Sequence, residues 1–150
     1  MTHSYVSSLY HAVFSTKGRA PIIAADLQEH LHPMMGGIAR DNKVKALAIG
    51  GVKDHVHMLL SLPSTMDIAR ALQLIKGGSS HWVSDEYPMY RNFAWQEGYS
   101  AFSIGISQVK STMDYINNQE RRHQKVSFED EYISFLKKHG IKYDPRFVVE

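Results

Sequence analysis

Three short apolar segments in the first half of the chain have the pattern of β-strands. Residues 5–16 are rich in aromatic and β-branched side chains and partly alternate between apolar and polar positions. Residues 43–52 and 55–62 are two apolar runs separated only by Lys53 and Asp54. This short polar interruption predicts that the second and third strands form a β-hairpin.

Two helices are predicted to alternate with these strands. Residues 24–42 carry apolar side chains at helical spacing, although Pro33 lies inside the segment. Since proline lacks a backbone N–H and typically costs about 3 kcal/mol in a helix interior, we expect a kink there. A second helix is predicted from about Met66, with Ser64 or Thr65 as its N-cap.

The second half of the chain predicts one more strand and two more helices. Residues 101–106 are the fourth strand candidate, and Ser107 can cap a helix over residues 108–124. A last short helix over residues 128–139 ends at Gly140, the usual residue after a helix C-terminus. The order predicts an α+β fold of the ferredoxin-like split βαβ type. This is a four-stranded antiparallel sheet with helices on one face, followed here by a C-terminal helix.

The composition is that of an ordinary globular domain. Hydrophobic residues are 43% of the 150 residues and charged residues 21%, which excludes disorder as the main state. No apolar run approaches the roughly 18 residues of a membrane span, and the N-terminus lacks the pattern of a signal peptide. We therefore expect a single domain over residues 1–150, in the cytoplasm and without a membrane partner. The chain has no cysteine, which excludes disulfides, zinc–thiolate sites and cysteine nucleophiles.

Histidine spacing is more informative than net charge. The 17 basic and 15 acidic side chains leave a net charge of only +2, which by itself says nothing about partners, whereas nine histidines are present. His55 and His57 lie at i and i+2 of the predicted third strand, so both point to one face with Cα atoms about 6.6 Å apart. Two imidazoles at that separation can converge on one metal ion. They can equally be polar neighbours on an exposed sheet face.

A tyrosine and a glutamine share one face of the predicted helix after the fourth strand. Tyr115 and Gln119 are separated by four residues, which places their side chains next to each other on a helix. Most of the eight tyrosines are expected to be packing residues with a hydrated hydroxyl. The neighbouring basic residues are also typical of a solvated helix face, so this pair alone does not identify a catalytic residue.

Taken together, the two motifs resemble the single-tyrosine HUH transposases. Residues 54–60 (DHVHMLL) match the His-hydrophobic-His strand of that family, and residues 115–119 (YINNQ) match its tyrosine helix. Residues 10–16, 76–80 and 95–102 also fit in the same order, so the resemblance covers nearly the whole chain. It is closest to the insertion-sequence-two-hundred-like enzymes of transposase A type.

The resemblance implies cleavage and rejoining of single-stranded DNA at insertion-sequence ends through a covalent 5′-phosphotyrosine. In this interpretation Tyr115 is the nucleophile, and His55, His57 and Gln119 hold a divalent ion, Mg²⁺ or Mn²⁺. Mixed nitrogen and oxygen ligands suit Mn²⁺ well, whereas Mg²⁺ prefers oxygen. The ion would act as a Lewis acid that orients the scissile phosphate.

The resemblance also implies partners. Members of the family act as homodimers, so Tyr115 of one subunit is expected to meet His55 and His57 of its partner, with residues 105–107 as a flexible link. They also bind DNA hairpins at the element ends. The candidate phosphate contacts are Lys17, Arg19, Arg70, Lys76, Arg121 and Arg122. The aromatic side chains that could stack on unpaired bases are Trp82, Tyr90, Phe93 and Trp95.

Three other functions fit part of this pattern. A non-catalytic DNA-hairpin-binding regulator derived from such a transposase would not depend on His55. A relaxase or replication nickase shares the chemistry but usually carries additional domains. A metal hydrolase built on the two histidines needs a further ligand or base, for which His11 and Asp54 are candidates, and would leave the tyrosine helix without a role.

Overall fold

A four-stranded antiparallel sheet forms the centre of the molecule. The computed structural model describes residues 3–123 and 126–148. The strands are β1 (Leu9–Ser15), β2 (Lys45–Val52), β3 (His55–Ser61) and β4 (Ser100–Ile104), in the spatial order β2-β3-β1-β4. This order is that of the ferredoxin-like split βαβ arrangement, so the predicted α+β fold is confirmed.

Helices cover both faces of the sheet. They are α1 (Ala25–Asp41), α2 (Ile68–Glu86), α3 (Val109–Asn117), α4 (Gln119–Arg122) and α5 (Phe128–Lys138). The helices α1 and α2 lie on one face, as predicted. The later helices cover the opposite face, because it too carries buried apolar side chains, among them Leu59 and Phe102. Among the described residues, no helix combines the length and the apolar character needed to span a bilayer.

The central strand β3 divides its side chains between the two faces. Val56, Met58 and Leu60 pack with α1 and α2, whereas Leu59 packs with Ile116 of α3 on the other face. Because side chains alternate along a strand, His55 and His57 point to the same face as Leu59. The two histidines therefore lie beneath the later helices rather than on an exposed sheet face.

Two helix starts differ from the sequence-based expectation. The N-cap of α2 is Asp67, whose carboxylate accepts a 2.7 Å hydrogen bond from the backbone N–H of Arg70, and not Ser64 or Thr65. Ser107 does not cap α3 either. Residues 106–108 form a short 3-10 turn, and the side-chain oxygen of Gln108 accepts from the backbone N–H of Gly105 instead.

The first predicted helix is confirmed, and a later one needs correction. α1 runs as one helix through Pro33, with Leu31 and Met35 on either side fully buried, and the kink at Pro33 stays a prediction. The helix predicted over residues 108–124 is interrupted at Asn118, which separates α3 from α4; residue 124 lies outside the described residues. The end of α5 is as predicted, with Gly140 at a φ of +66°.

A glycine in β2 lets the tyrosine-bearing helix approach the sheet. A Cβ atom built at Gly50 would lie 2.1 Å from the carbonyl oxygen of Ile116. The backbone of α3 therefore packs directly on the backbone of β2, and no side chain fits between them. This contact fixes the height of Tyr115 above the histidines of β3.

Replacing Gly50 with alanine is expected to displace α3. The added methyl group overlaps a backbone carbonyl that cannot rotate away, so we expect the free energy of unfolding to fall by about 1–3 kcal/mol. Urea unfolding measures this, with Gly77→Ala as the control. Gly77 lies in α2, where an added Cβ would meet nothing within 4 Å, and alanine favours helices, so that variant should be at least as stable as the wild type. Equal stability of Gly50→Ala and the wild type would contradict this packing.

Candidate active site

Strand β3 carries two histidines whose Nδ1 atoms each have a hydrogen-bonding partner. The side chains of His55 and His57 are fully buried. Nδ1 of His55 lies 2.8 Å from the carboxylate of Asp54, and Nδ1 of His57 lies 2.8 Å from Nε2 of His11. In both residues Nε2 faces the space beneath α4 and α5. A hydrogen bond on one ring nitrogen that orients the other is typical of histidine metal ligands.

Helix α4 and the residue that follows it bring an amide and a third imidazole to the same space. Oε1 of Gln119 lies 3.2 Å from Nε2 of His55 and 3.0 Å from Nε2 of His123. The amide nitrogen of Gln119 donates to the carbonyl of Tyr115 at 3.2 Å, which orients the amide so that its oxygen faces the histidines. Gln119 is thus beside His55, as the sequence predicts, and His123 is an additional residue that it did not.

A buried carboxylate from α5 completes the cluster. Oε1 of Glu131 lies 2.8 Å from Nε2 of His57, 3.2 Å from Nε2 of His123 and 3.8 Å from Nε2 of His55. The ligand atoms of these four residues all lie within 4.8 Å of one another. Burial acts to raise the pKa of Glu131, but hydrogen bonds from His123, His57 and Tyr115 outweigh it and hold the pKa well below its usual range. Glu131 is therefore a buried anion at neutral pH.

The phenol of Tyr115 lies at the edge of this cluster. Its hydroxyl donates to Oε2 of Glu131, and its ring centroid is 5.7 Å from that of His57. The guanidinium of Arg122 lies 4.9 Å from the Tyr115 ring centroid, and its Nε donates to Oε2 of Glu131 at 3.0 Å. Burial, followed by the hydrogen bond and charge of Glu131, raises the pKa of Tyr115 above its usual range. The hydroxyl is consequently protonated at neutral pH.

The described chain brings its sequence-predicted site residues together without a second subunit. Tyr115 and Gln119 meet His55 and His57 within one chain, so sharing of the site between subunits stays a prediction. The sequence could have predicted His123 as a site residue, because residues 115, 119 and 123 continue one helical spacing of four. It could not have predicted Glu131, since three acidic residues in the first turn of α5 are ordinary at a helix N-terminus.

The donor set fits a divalent cation. Burial acts to raise the pKa of Asp54, but the hydrogen bond and charge of His55 outweigh it and lower the pKa, so this carboxylate accepts a hydrogen bond from Nδ1 of His55. Nε2 of His55 faces the oxygen of Gln119 at 3.2 Å, and imidazole nitrogen and amide oxygen are both ligand atoms of divalent cations. With ligand bonds of about 2.1 Å, neighbouring ligands are about 3.0–3.4 Å apart. The contacts among Nε2 of the two β3 histidines, Oε1 of Gln119 and Oε1 of Glu131 are 2.8–3.8 Å long, a range that includes this spacing.

The predicted DNA contacts fall into two groups. Arg122 lies over Tyr115, and the guanidinium of Arg19 is 6.0 Å from the ring of Phe128, which in turn stacks on His55. Lys17 and Arg121 are exposed. These four residues remain candidates for phosphate contacts. Arg70 and Lys76 are instead on α2, across the sheet from the histidines.

Lys76 and two of the predicted stacking residues have structural roles. The ammonium of Lys76 donates to the three backbone carbonyls of residues 96–98 at 2.8–3.2 Å. Phe93 and Trp95 are buried, and the indole N–H of Trp95 donates to Ser79 of α2. Trp82 is partly buried and packs edge-on against Tyr87 beside the core. Phe93 and Trp95 hold the aromatic loop against α2, so stacking on bases is not open to them.

Acidification is expected to destabilise the metal-free fold. Burial lowers the pKa of His57 to about 4 and that of His11 to about 3. Below pH 6.5 the unfolded chain binds protons that these folded imidazoles do not, so each removes up to about 1.4 kcal/mol per pH unit until its folded pKa is reached. Urea unfolding in EDTA from pH 7 to pH 5, a range above the pKa of most carboxylates, should show a steady decrease in the free energy of unfolding. Constant stability over this interval would contradict buried neutral histidines.

Comparison with known proteins gives one family. The family model described as "Transposase IS200 like" matches residues 4–119. Over 124 residues the chain is 27% identical to the transposase for insertion sequence element IS200 of Salmonella typhimurium, covering 79% of this chain and 81% of that protein. Over 121 residues it is 24% identical to the ISDra2 transposase TnpA of Deinococcus radiodurans, covering 77% of this chain and 86% of that protein.

Two solved structures share the fold. One is a crystal structure of a Deinococcus radiodurans R1 protein, with a TM-score of 0.65 and 22% identity over 79% of this chain and 96% of that one. The other is a REP-associated tyrosine transposase bound to a REP hairpin, with a TM-score of 0.62 and 18% identity over 84% of this chain and 74% of that one. Both agree with the α+β class predicted from the sequence.

Proposed function

Because the chain belongs to the family of IS200-like transposases, we propose that it cleaves and rejoins single-stranded DNA through a phosphotyrosine at Tyr115. The observation that carries the proposal is the position of the Tyr115 phenol, which contacts a buried cluster of metal-ligand side chains. Packing does not require a tyrosine hydroxyl to contact a buried carboxylate that itself lies against three imidazoles. Covalent catalysis at a phosphate requires a nucleophile beside groups that stabilise negative charge.

The proposed metal ligands are the two histidines of β3 and Gln119. Their donor atoms converge beneath Tyr115, and the outer contacts to Asp54 and His11 hold the imidazole rings in place. When bound, a divalent ion supplies Lewis acidity, polarising and orienting the scissile phosphate. Arg122, whose guanidinium lies over the Tyr115 ring, is the proposed contact to another phosphate oxygen.

The proposed cleavage exchanges one phosphate ester for another. The Tyr115 oxygen forms a bond to phosphorus while the bond from phosphorus to the DNA 3′ oxygen breaks. The phenol, whose proton is hydrogen-bonded to Oε2 of Glu131, loses one proton, and the departing 3′ oxygen gains one, so the exchange releases no net proton. Rejoining is the reverse reaction, in which a free 3′-OH attacks the phosphotyrosine and releases Tyr115. A phenolate leaves more readily than an alkoxide, so no nucleotide cofactor is needed.

The proposed substrate is single-stranded DNA that carries hairpins at the ends of an insertion sequence. One structural neighbour is bound to a REP hairpin, which supports a folded DNA strand as the ligand. The exposed residues Lys17 and Arg121, together with Arg19 and Arg122 beside the site, are the proposed phosphate contacts.

A covalent adduct tests this function. Labelled single-stranded DNA from the flanks of the gene is incubated with the protein and Mn²⁺, and the products are separated on a denaturing gel. We expect a denaturation-resistant protein–DNA band. Hairpin binding that needs no metal and gives no such band would favour the alternative, a non-catalytic DNA-hairpin-binding regulator.

Mixing two inactive variants tests the proposed homodimer with shared active sites. His57→Ala keeps the tyrosine and Tyr115→Phe keeps the histidines, so a shared site regains activity in the mixture. A denaturation-resistant adduct on the His57→Ala subunit would support exchange of the tyrosine helix. An inactive mixture would support the arrangement of the described chain, in which Tyr115 lies over its own His57.

A further inference from the structure

The C-terminal helix contributes a carboxylate to the space where the donors of β3 and α4 converge. We infer that Glu131 is itself a protein ligand of the divalent ion, so that α5 closes the metal site. This inference rests on the proposed function, because it concerns the same ion that His55, His57 and Gln119 would hold. It adds a residue that lies outside the two motifs from which the site was recognised.

The separations between donor atoms support ligation by Oε1 of Glu131. This oxygen is 2.8 Å from Nε2 of His57 and 3.2 Å from Nε2 of His123. Ligands on one ion with bonds of about 2.1 Å are separated by about 3.0 Å in an octahedral site and 3.4 Å in a tetrahedral one. The 3.8 Å separation from Nε2 of His55 needs only a small adjustment. Oε1 thus already has the spacing of a coordinated oxygen.

The two oxygens of Glu131 face different groups. Oε2 accepts hydrogen bonds from Tyr115 and from the guanidinium of Arg122, whereas Oε1 faces imidazole nitrogens. The carboxylate is only 1% exposed, so water does not stabilise its charge from the side of Oε1. A divalent ion held by Oε1 and by the Nε2 atoms of His55 and His57 would neutralise this buried charge and leave Oε2 in contact with the nucleophile.

Helix α5 is held firmly enough to supply a ligand. The Ser127 hydroxyl caps its first turn, and Phe128 stacks on His55 with ring centroids 4.1 Å apart. Phe135, one turn beyond Glu131, packs edge-on against His11 at 5.0 Å. These contacts place Glu131 between two aromatic anchors on the histidine face. A preorganised carboxylate of this kind adds affinity because little side-chain motion is lost on binding.

The resulting ligand set predicts which ion binds. The imidazoles of His55 and His57, with one carboxylate and one amide oxygen, form a site richer in nitrogen than the sites that Mg²⁺ prefers. We therefore expect Mn²⁺ to bind more tightly than Mg²⁺ to the wild-type protein.

A matched pair of charge substitutions tests the inference. Glu131→Gln removes the charge of the proposed ligand, and Asp130→Asn makes the same change at the exposed neighbouring residue. Mn²⁺ dissociation constants are measured for the DNA-free proteins by electron paramagnetic resonance of the free ion. We expect Glu131→Gln to weaken Mn²⁺ binding by at least about 10-fold and Asp130→Asn to leave it within about twofold of the wild type.

The outcomes separate this inference from the proposed function. Unchanged Mn²⁺ affinity in a folded Glu131→Gln protein overturns the ligand role, even where the wild type binds Mn²⁺ and forms the DNA adduct. A wild-type protein that binds no divalent ion overturns the ligand role together with the metal dependence of the proposed function. Adduct formation by the wild-type protein with DNA and Mn²⁺ is measured separately, and its absence would overturn the proposed function without changing the Mn²⁺ affinities.

Wild-type crystals soaked with Mn²⁺ provide a test that needs no variant. Anomalous scattering locates the ion, and we expect it about 2.2 Å from Oε1 of Glu131. An ion held by His55 and His57 but more than about 3 Å from both Glu131 oxygens overturns the inference, whatever the stability of the Glu131→Gln protein.

Discussion

Tyr115→Phe is expected to reduce the covalent protein–DNA adduct by at least about 10³-fold, to the background of the assay. The phenylalanine ring keeps the packing against His57 and His11 but has no oxygen to attack phosphorus. Binding of single-stranded DNA, measured by fluorescence anisotropy, should stay within about twofold of the wild type, because phosphate contacts supply most of that affinity.

Tyr132→Phe is the matched control for this substitution. Tyr132 is a buried tyrosine of α5 whose hydroxyl contacts Ser100, so the variant loses the same atom at a comparable depth. It should form the adduct at the wild-type level. Adduct formation by Tyr115→Phe at that level would show that another residue is the nucleophile.

Removal of the divalent ion is expected to reduce adduct formation as strongly as Tyr115→Phe does. A Lewis acid at a reacting phosphate contributes several kcal/mol, so EDTA should lower the rate of adduct formation by about 10³-fold, and added Mn²⁺ should restore it. The rate is followed by quantifying the denaturation-resistant band over time. The same band in the presence of EDTA, at an unchanged rate, would show that the histidines of β3 do not act through a metal ion.

Two histidine substitutions locate that ion. His55→Ala removes one proposed ligand, and the Mn²⁺ concentration needed for half-maximal activity should rise by at least about 10-fold. His81 is an exposed residue of α2 whose side chain is 80% accessible, and it lies across the sheet from the site. His81→Ala should therefore titrate with Mn²⁺ as the wild type does. Equal responses of the two variants would place the ion elsewhere.

Local sequence patterns were enough to predict the sheet and the positions of two histidines, one tyrosine and one glutamine of the site. Strand alternation places His55 and His57 on one face, and helical spacing places Gln119 next to Tyr115. These are properties of single elements, and they hold wherever the elements pack. The turn between β2 and β3 and the glycine after α5 were predictable for the same reason, since each depends on a few adjacent residues.

The remaining features depend on contacts between distant segments. Glu131 reaches the histidines only because α5 packs on Phe102 and covers the second face of the sheet. The interruption at Asn118 separates α3 from α4, and no proline or glycine marks it in the sequence. Asp67 caps α2 where Ser64 and Thr65 are equally good capping residues by type. Tertiary packing, rather than local propensity, decides each of these points.

Peptide mapping of the DNA adduct tests most directly whether one phenol above the histidine pair performs the covalent step. The wild-type protein is incubated with Mn²⁺ and single-stranded flanking DNA, digested with nuclease and trypsin, and analysed by tandem mass spectrometry. We expect a nucleotide on Tyr115, in the peptide of residues 111–121 that follows Lys110 and ends at Arg121. A nucleotide on any other residue, or a DNA product cleaved without any protein-bound nucleotide, would contradict the account.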